Sequence, residues 1–177
     1  MKNNIKEILI VVDMQNDFVD GALKSPEAIA VVDKVVEKIN NFNGDIIATY
    51  DTHEENYMNT REGRYLPVPH CIKGTKGWEL NEKVQKALDA KGFKAVCKPT
   101  FGSVDLVDVI KEYDVNNVKI TLIGLCTDIC VVSNALLLKA NFTETDIAVD
   151  SACCAGVTVE KHLAALETMR SCQIDVY

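Results

Sequence analysis

Val118-Lys-Ile-Thr-Leu-Ile-Gly124-Leu-Cys126-Thr-Asp-Ile-Cys130-Val-Val-Ser-Asn-Ala135 is the stretch on which the fold turns. A largely apolar, β-branched run meets a glycine. A mostly apolar segment of helical length follows, with a cysteine at its start. Such a run suits a parallel strand covered on both faces, and a glycine is a natural place for it to give way. The position of the cysteine matters because the thiolate is the nucleophile. The positive end of a helix favours thiolate over thiol.

Working outward from this stretch, the same alternation recurs in both directions. Strands are predicted at 8–12, 46–50, 95–97, 118–123, 147–149 and 174–176. Helices are predicted at 29–39, 80–88, 104–110, 129–140 and 159–169. Ile29, Val32, Val35, Val36 and Ile39 share helical spacing, as do Leu163, Leu166 and Met169, and Ser103 is a suitable N-cap. The rhythm predicts an α/β fold: one domain over 1–177 with an open, mostly parallel six-stranded sheet and helices on both faces. Residues 52–77 break the pattern. They carry Gly63, Pro67, Pro69, Gly74 and Gly77, and a structureless loop of that length in a compact domain is usually functional.

The totals narrow the function classes. Apolar residues make up 47% of the 177 and charged residues 25%, as in ordinary globular proteins. No apolar run approaches the roughly 20 residues of a membrane span. The segment Met1-Lys-Asn-Asn-Ile-Lys-Glu lacks the apolar core of a signal peptide, so the cytoplasm is the expected location. A net charge of −7 without a basic cluster argues against nucleic acid as a partner. The seven cysteines form no C-x-x-C pair and read as reduced thiols, mostly buried.

In parallel sheets of this kind, ligands bind beyond the carboxyl ends of the strands. The first strand ends at Asp13, the second at Asp51, the third at Lys98, and the fourth runs through Gly124 toward Cys130. Each residue alone has an ordinary explanation: a turn carboxylate, a solvated lysine, a cysteine packed as a small hydrophobe. Together they suggest chemistry. Asp13 suits a general base for a thiol proton, and Lys98 suits a cation that stabilises the thiolate. Spacing leaves Cys126 in competition with Cys130. Asp51 and His53, two apart in an extended segment, project to one side, and His70 can fold back from the loop. Two histidines and one carboxylate form a common set for a catalytic transition metal.

With these residues assembled, the chain resembles the isochorismatase-like cysteine hydrolases, and within them the nicotinamidase/pyrazinamidase group. The motifs that carry the resemblance are Val-Val-Asp13-Met-Gln-Asn-Asp-Phe18, Tyr-Asp51-Thr-His53, Pro-His70-Cys-Ile-Lys-Gly-Thr, Lys98-Pro-Thr-Phe-Gly-Ser and Gly-Leu-Cys126-Thr-Asp-Ile-Cys130. The resemblance implies an Asp13/Lys98/Cys130 triad and a non-proline cis peptide at Leu125–Cys126. It also implies an oxyanion hole made by the backbone N–H groups of Cys126 and Cys130. The metal set would be Asp51, His53 and His70, with Glu62 as a possible fourth ligand, and the ion zinc, iron or manganese. Phe18 would pack on a flat substrate ring. The implied reaction is hydrolysis of nicotinamide to nicotinate and ammonia through a cysteine thioester, in a homo-oligomer. Many members carry Trp where this chain has Thr52, and Tyr57, Tyr65 and Trp78 are candidates to replace it. Three other readings stand beside this one: a relative acting on a carbamoyl or ureido amide, a flavodoxin-like binding domain, and a thiol redox protein.

Overall fold

The structure, a computed structural model, describes residues 5–177; residues 1–4, within the expected domain, lie outside the described residues. Six strands form one sheet: β1 (Lys6–Val12), β2 (Asp45–Asp51), β3 (Lys94–Lys98), β4 (Val118–Leu125), β5 (Asp146–Ala155) and β6 (Asp175–Val176). Their order is β3-β2-β1-β4-β5-β6, and every pairing is parallel, which sharpens the expected "mostly parallel". The helices are α1 (Asn16–Val19), α2 (Pro26–Asn41), α3 (Arg61–Tyr65), α4 (Glu82–Lys91), α5 (Val104–Ile110), α6 (Val132–Asn141) and α7 (Val159–Ser171).

The sheet separates two apolar layers, and strand alternation explains how. Ile8, Ile10 and Val12 of β1 join one core with Leu106 and Ile110 of α5, Leu138 of α6 and Met169 of α7. Leu9 and Val11 point the other way, to Val35 and Ile39 of α2 and Leu88 of α4. Capping fixes several helix starts. Ser25, Asn81, Ser103 and Thr158 each accept a backbone N–H from the first turn of α2, α4, α5 and α7. Two periodic positions behave otherwise than their spacing predicts. Ile29 and Leu163 are more than half exposed, because each lies on the outer edge of its helix. Among the described residues, no helix is long and apolar enough to cross a membrane.

The strand order reverses between β1 and β4, and this switch point is where a ligand crevice opens in doubly wound sheets. There the backbones run close. Gly124 pairs with Val12 at φ +112°, and a Cβ on it would stand 2.2 Å from the Val12 carbonyl oxygen. Neither the conformation nor the space suits any other residue. Gly124→Ala is expected to lower unfolding free energy by more than about 1 kcal/mol, measurable by urea titration. An unchanged midpoint would contradict this account of the crossing.

Residues 52–77 are not structureless. They contain a 3₁₀ turn over Tyr57–Asn59 and the short α3. Thr60 stabilises α3 by accepting the Gly63 N–H. The segment folds back so that His53 bridges Ile72, which brings His70 to the end of β2.

Candidate active site

At the carboxyl edge of the sheet, β1 is followed by Asp13, whose backbone enters the left-handed region at φ 49°. Asp tolerates that conformation better than most residues, and it turns the chain out of the strand. The side chain is fully buried. Thr49 of β2 donates to its Oδ1 at 2.6 Å, and Lys98 Nζ lies 2.6 Å from its Oδ2. Lys98, the last residue of β3, is also fully buried. Its ammonium donates to the Thr100 carbonyl at 3.1 Å and to Cys130 Sγ at 3.3 Å. The expected three-residue cluster is therefore assembled, with the ammonium between carboxylate and sulfur.

The segment after β4 presents Cys130. Leu125–Cys126 is a cis peptide bond, as the resemblance implies. A π-helical turn over Thr127–Val131 then leads into α6, so the expected helix at 129–140 begins with a wider turn. Ile129 and Val131 both donate to the Cys126 carbonyl, at 3.1 and 3.0 Å. Cys126 has no lysine at its sulfur among the described contacts, whereas Cys130 does. Geometry thus separates the two cysteines, which spacing alone could not.

The electrostatics correct one expectation. The helix start and Lys98 were expected to lower the Cys130 thiol, yet burial pushes it well above its ordinary value, Asp13 and Asp51 add to the rise, and Lys98 only opposes it. Burial likewise raises Asp13 above the usual carboxylate range against the opposing charge of Lys98. Burial would lower Lys98, but the charges of Asp13 and Asp51 override it and keep the ammonium charged. The resting site therefore holds a protonated thiol beside a carboxylate of raised basicity, suited to accept its proton.

The second cluster adjoins the first. Asp51, His53 and His70, all buried, each offer one ligand atom, and these atoms lie within 4.8 Å of one another. His70 donates from Nδ1 to the Val68 carbonyl at 2.8 Å, which leaves Nε2 free to face the cluster. Asp51 Oδ2 lies 3.1 Å from His53 Nε2 and 3.5 Å from His70 Nε2. Burial would raise Asp51, but its hydrogen bonds from the two imidazoles hold it well below the carboxylate range. Glu62 Oε1, from α3, stands 3.6 and 3.8 Å from the same two nitrogens. Two imidazole nitrogens, a buried carboxylate oxygen and an adjacent second carboxylate fit a divalent metal ion.

Several supporting residues went unread in the sequence. Gln15, fully buried, accepts the Asp51 N–H and donates to the Asp51 carbonyl, both at 2.8 Å, replacing the strand partner that β1 no longer supplies. Asn134 accepts from Ser103 N–H and donates to the carbonyls of Phe101 and Cys130, clasping the β3–α5 loop to the cysteine helix. A polar residue four positions after Cys130, inside an apolar helix, was the available signal.

A cavity of about 300 Å³ opens on Cys130, Asp51, Glu62 and His70. Phe18 and Phe101 line it, and Phe18 meets His70 edge-on at 5.7 Å between ring centroids. None of the three aromatic residues proposed to replace the missing Trp lies on its wall. Tyr57 is buried against both imidazoles, Tyr65 borders an outer groove, and Trp78 stacks on Tyr50. Thr52 points away from Asp51 and His53 by strand alternation and accepts the Trp78 indole N–H at 2.9 Å. The departure at Thr52 leaves the cavity untouched.

Fold, cysteine cluster and metal-ligating set define a class, and comparison with known proteins agrees: the isochorismatase domain model matches residues 7–177, so the chain belongs to the isochorismatase family. Among its relatives is the nicotinamidase/pyrazinamidase of Mycobacterium tuberculosis, 28% identical, with 95% of this chain and 96% of that protein covered. The structure of the nicotinamidase/pyrazinamidase PncA from Bacillus subtilis superposes with a TM-score of 0.86 at 28% identity, covering 97% of this chain and 98% of that one. The pyrazinamidase of Pyrococcus horikoshii, solved in complex with zinc, gives 0.78 at 31% identity over the same shares.

Proposed function

We propose that this protein is a cysteine amidase that hydrolyses nicotinamide to nicotinate and ammonia. The observation that carries the reading is the Lys98 ammonium, buried between the Asp13 carboxylate at 2.6 Å and the Cys130 sulfur at 3.3 Å. The nicotinamidase names of the relatives and the size of the cavity, suited to one small aromatic amide, support the choice of substrate.

In this reading Phe18 and Phe101 flank the ring and hold the amide over Cys130. Asp13 takes the thiol proton, and the thiolate, steadied by Lys98, attacks the carbonyl carbon. The backbone N–H groups of Cys126 and Cys130 receive the developing oxyanion. Asp13 returns the proton to the leaving nitrogen, so ammonia departs and a thioester remains. Asp13 then takes a proton from water, whose attack releases nicotinate and restores the thiol. Asp51, His53 and His70, with Glu62 beside them, would hold a divalent ion, zinc in our reading, which supplies a Lewis-acid template for a ring nitrogen. The zinc complex of the Pyrococcus horikoshii relative supports that ion. Exposed Val104, Val159 and Leu163 offer apolar surface for the homo-oligomer we also propose.

Ammonia release from nicotinamide by the metal-loaded enzyme tests the reading. Release is expected, and it should disappear after chelation and return on adding Zn(II). Absence of release from protein whose Cys130 still alkylates would sink nicotinamide as substrate and turn attention to carbamoyl or ureido amides. The acid limb of kcat/KM should lie above the ordinary carboxylate range of about 4, because Asp13 must be ionised and burial raises it. A limb below that value would remove Asp13 as the base.

A further inference from the structure

The two clusters share a carboxylate. Asp51 directs Oδ2 to His53 and His70, at 3.1 and 3.5 Å, while its Oδ1 lies 3.5 Å from Lys98 Nζ. We propose that ion binding at Asp51, His53 and His70 activates Cys130 by withdrawing Asp51 from Lys98. The inference rests on the function proposed above and adds a second role for the ion site: governing the nucleophile as well as the substrate.

The charges around Cys130 give the reason. Among the described ion pairs, Lys98 is the only lysine or arginine that meets Asp13 or Asp51. One ammonium therefore serves two buried carboxylates, and Glu62 adds a third near the histidines. A thiolate formed 3.3 Å from Lys98 would share that cation with both aspartates. In a water-poor site, each uncompensated carboxylate disfavours a further negative charge. With its Oδ2 engaged by a dication, Asp51 exerts less pull on Lys98. The ammonium is then left to Asp13 and the sulfur, and the thiolate becomes accessible. Without the ion, the thiol stays protonated and comparatively inert toward oxidants and alkylating agents, which act on the thiolate.

Wild-type enzyme stripped by a chelator, then reloaded with Mn(II), provides the test. Manganese suits the oxygen and nitrogen donors and competes little for thiolates. Iodoacetamide labelling of Cys130 at neutral pH is followed by peptide mass spectrometry, with exposed Cys97 and Cys172 as internal standards. Ultraviolet thiolate absorbance, taken against Cys130→Ala, reports the same event without a reagent entering the cavity. Loading should raise the labelling rate about tenfold, with a matching rise in absorbance. Stripped Asp51→Asn, which lacks the shared charge, should label at the fast rate whether or not Mn(II) is added. Equal rates and absorbance in stripped and loaded wild type would overturn the coupling, as would a slow, folded Asp51→Asn. If Asp51→Asn does not fold, the wild-type comparison decides alone. Nicotinamide turnover measured in parallel separates the two readings. Ion-dependent turnover with unchanged thiol reactivity keeps the amidase and overturns the coupling. Accelerated labelling without turnover keeps the coupling and removes nicotinamide.

Discussion

Cys130→Ala is expected to abolish amide hydrolysis, lowering kcat on the order of 10⁴-fold or more, as loss of a covalent nucleophile does elsewhere. The reason is local. Cys130 is the sulfur within 3.3 Å of the Lys98 ammonium, at the head of a helix and on the wall of the cavity. Cys126 also faces the cavity, but among the described hydrogen bonds no lysine nitrogen meets its sulfur. Removing one sulfur atom from the site costs about 1 kcal/mol in packing, so the fold should survive. The ion-binding residues do not contact the deleted atom through any described hydrogen bond, so metal content should be unchanged. Ammonia assay, urea titration and metal analysis on one preparation check all three statements. Residual activity near wild type would transfer the nucleophile's role to Cys126.

The architecture was legible because its signals were periodic. Continuous apolar runs such as 8–12 and 118–123 have few options besides buried parallel strands, and both formed. Chemistry was legible at strand ends for a related reason: topology alone brings Asp13, Asp51 and Lys98 to one edge. What the sequence hid depended on contacts between distant segments. Gln15 looks like any polar residue after a strand until its amide is seen to pair with both backbone groups of Asp51. The sign of the shift at Cys130 was hidden too. A helix start and a nearby lysine can be inferred from order along the chain. Full burial beside two carboxylates cannot, and it outweighs both. The setting of Thr52 was hidden as well, since a motif position does not say what a side chain meets across the fold. Strand alternation directs that side chain elsewhere.

Lys98→Met should be the most destabilising single substitution in the site, and its cost should grow with pH. The methionine roughly preserves the buried aliphatic stem but leaves Asp13 at 0% exposure without its counter-ion. Breaking a buried pair by deleting one partner typically costs about 3–5 kcal/mol. The sign follows from Asp13, which burial raises in the folded state; without Lys98 it is raised further. At low pH the carboxyl is protonated in both folded and unfolded chains, and the missing ammonium matters least. As pH climbs past the unfolded value of about 4, the unfolded chain ionises first and gains relative to the folded one. The stability gap between wild type and Lys98→Met should therefore be wider at pH about 8 than at about 5, as urea titration would show. Adding Asp13→Asn to Lys98→Met removes the stranded charge and should recover much of the loss, while activity stays absent from both variants. A gap independent of pH, with no recovery in the double variant, would mean that Lys98 stabilises the fold by packing rather than by pairing with Asp13.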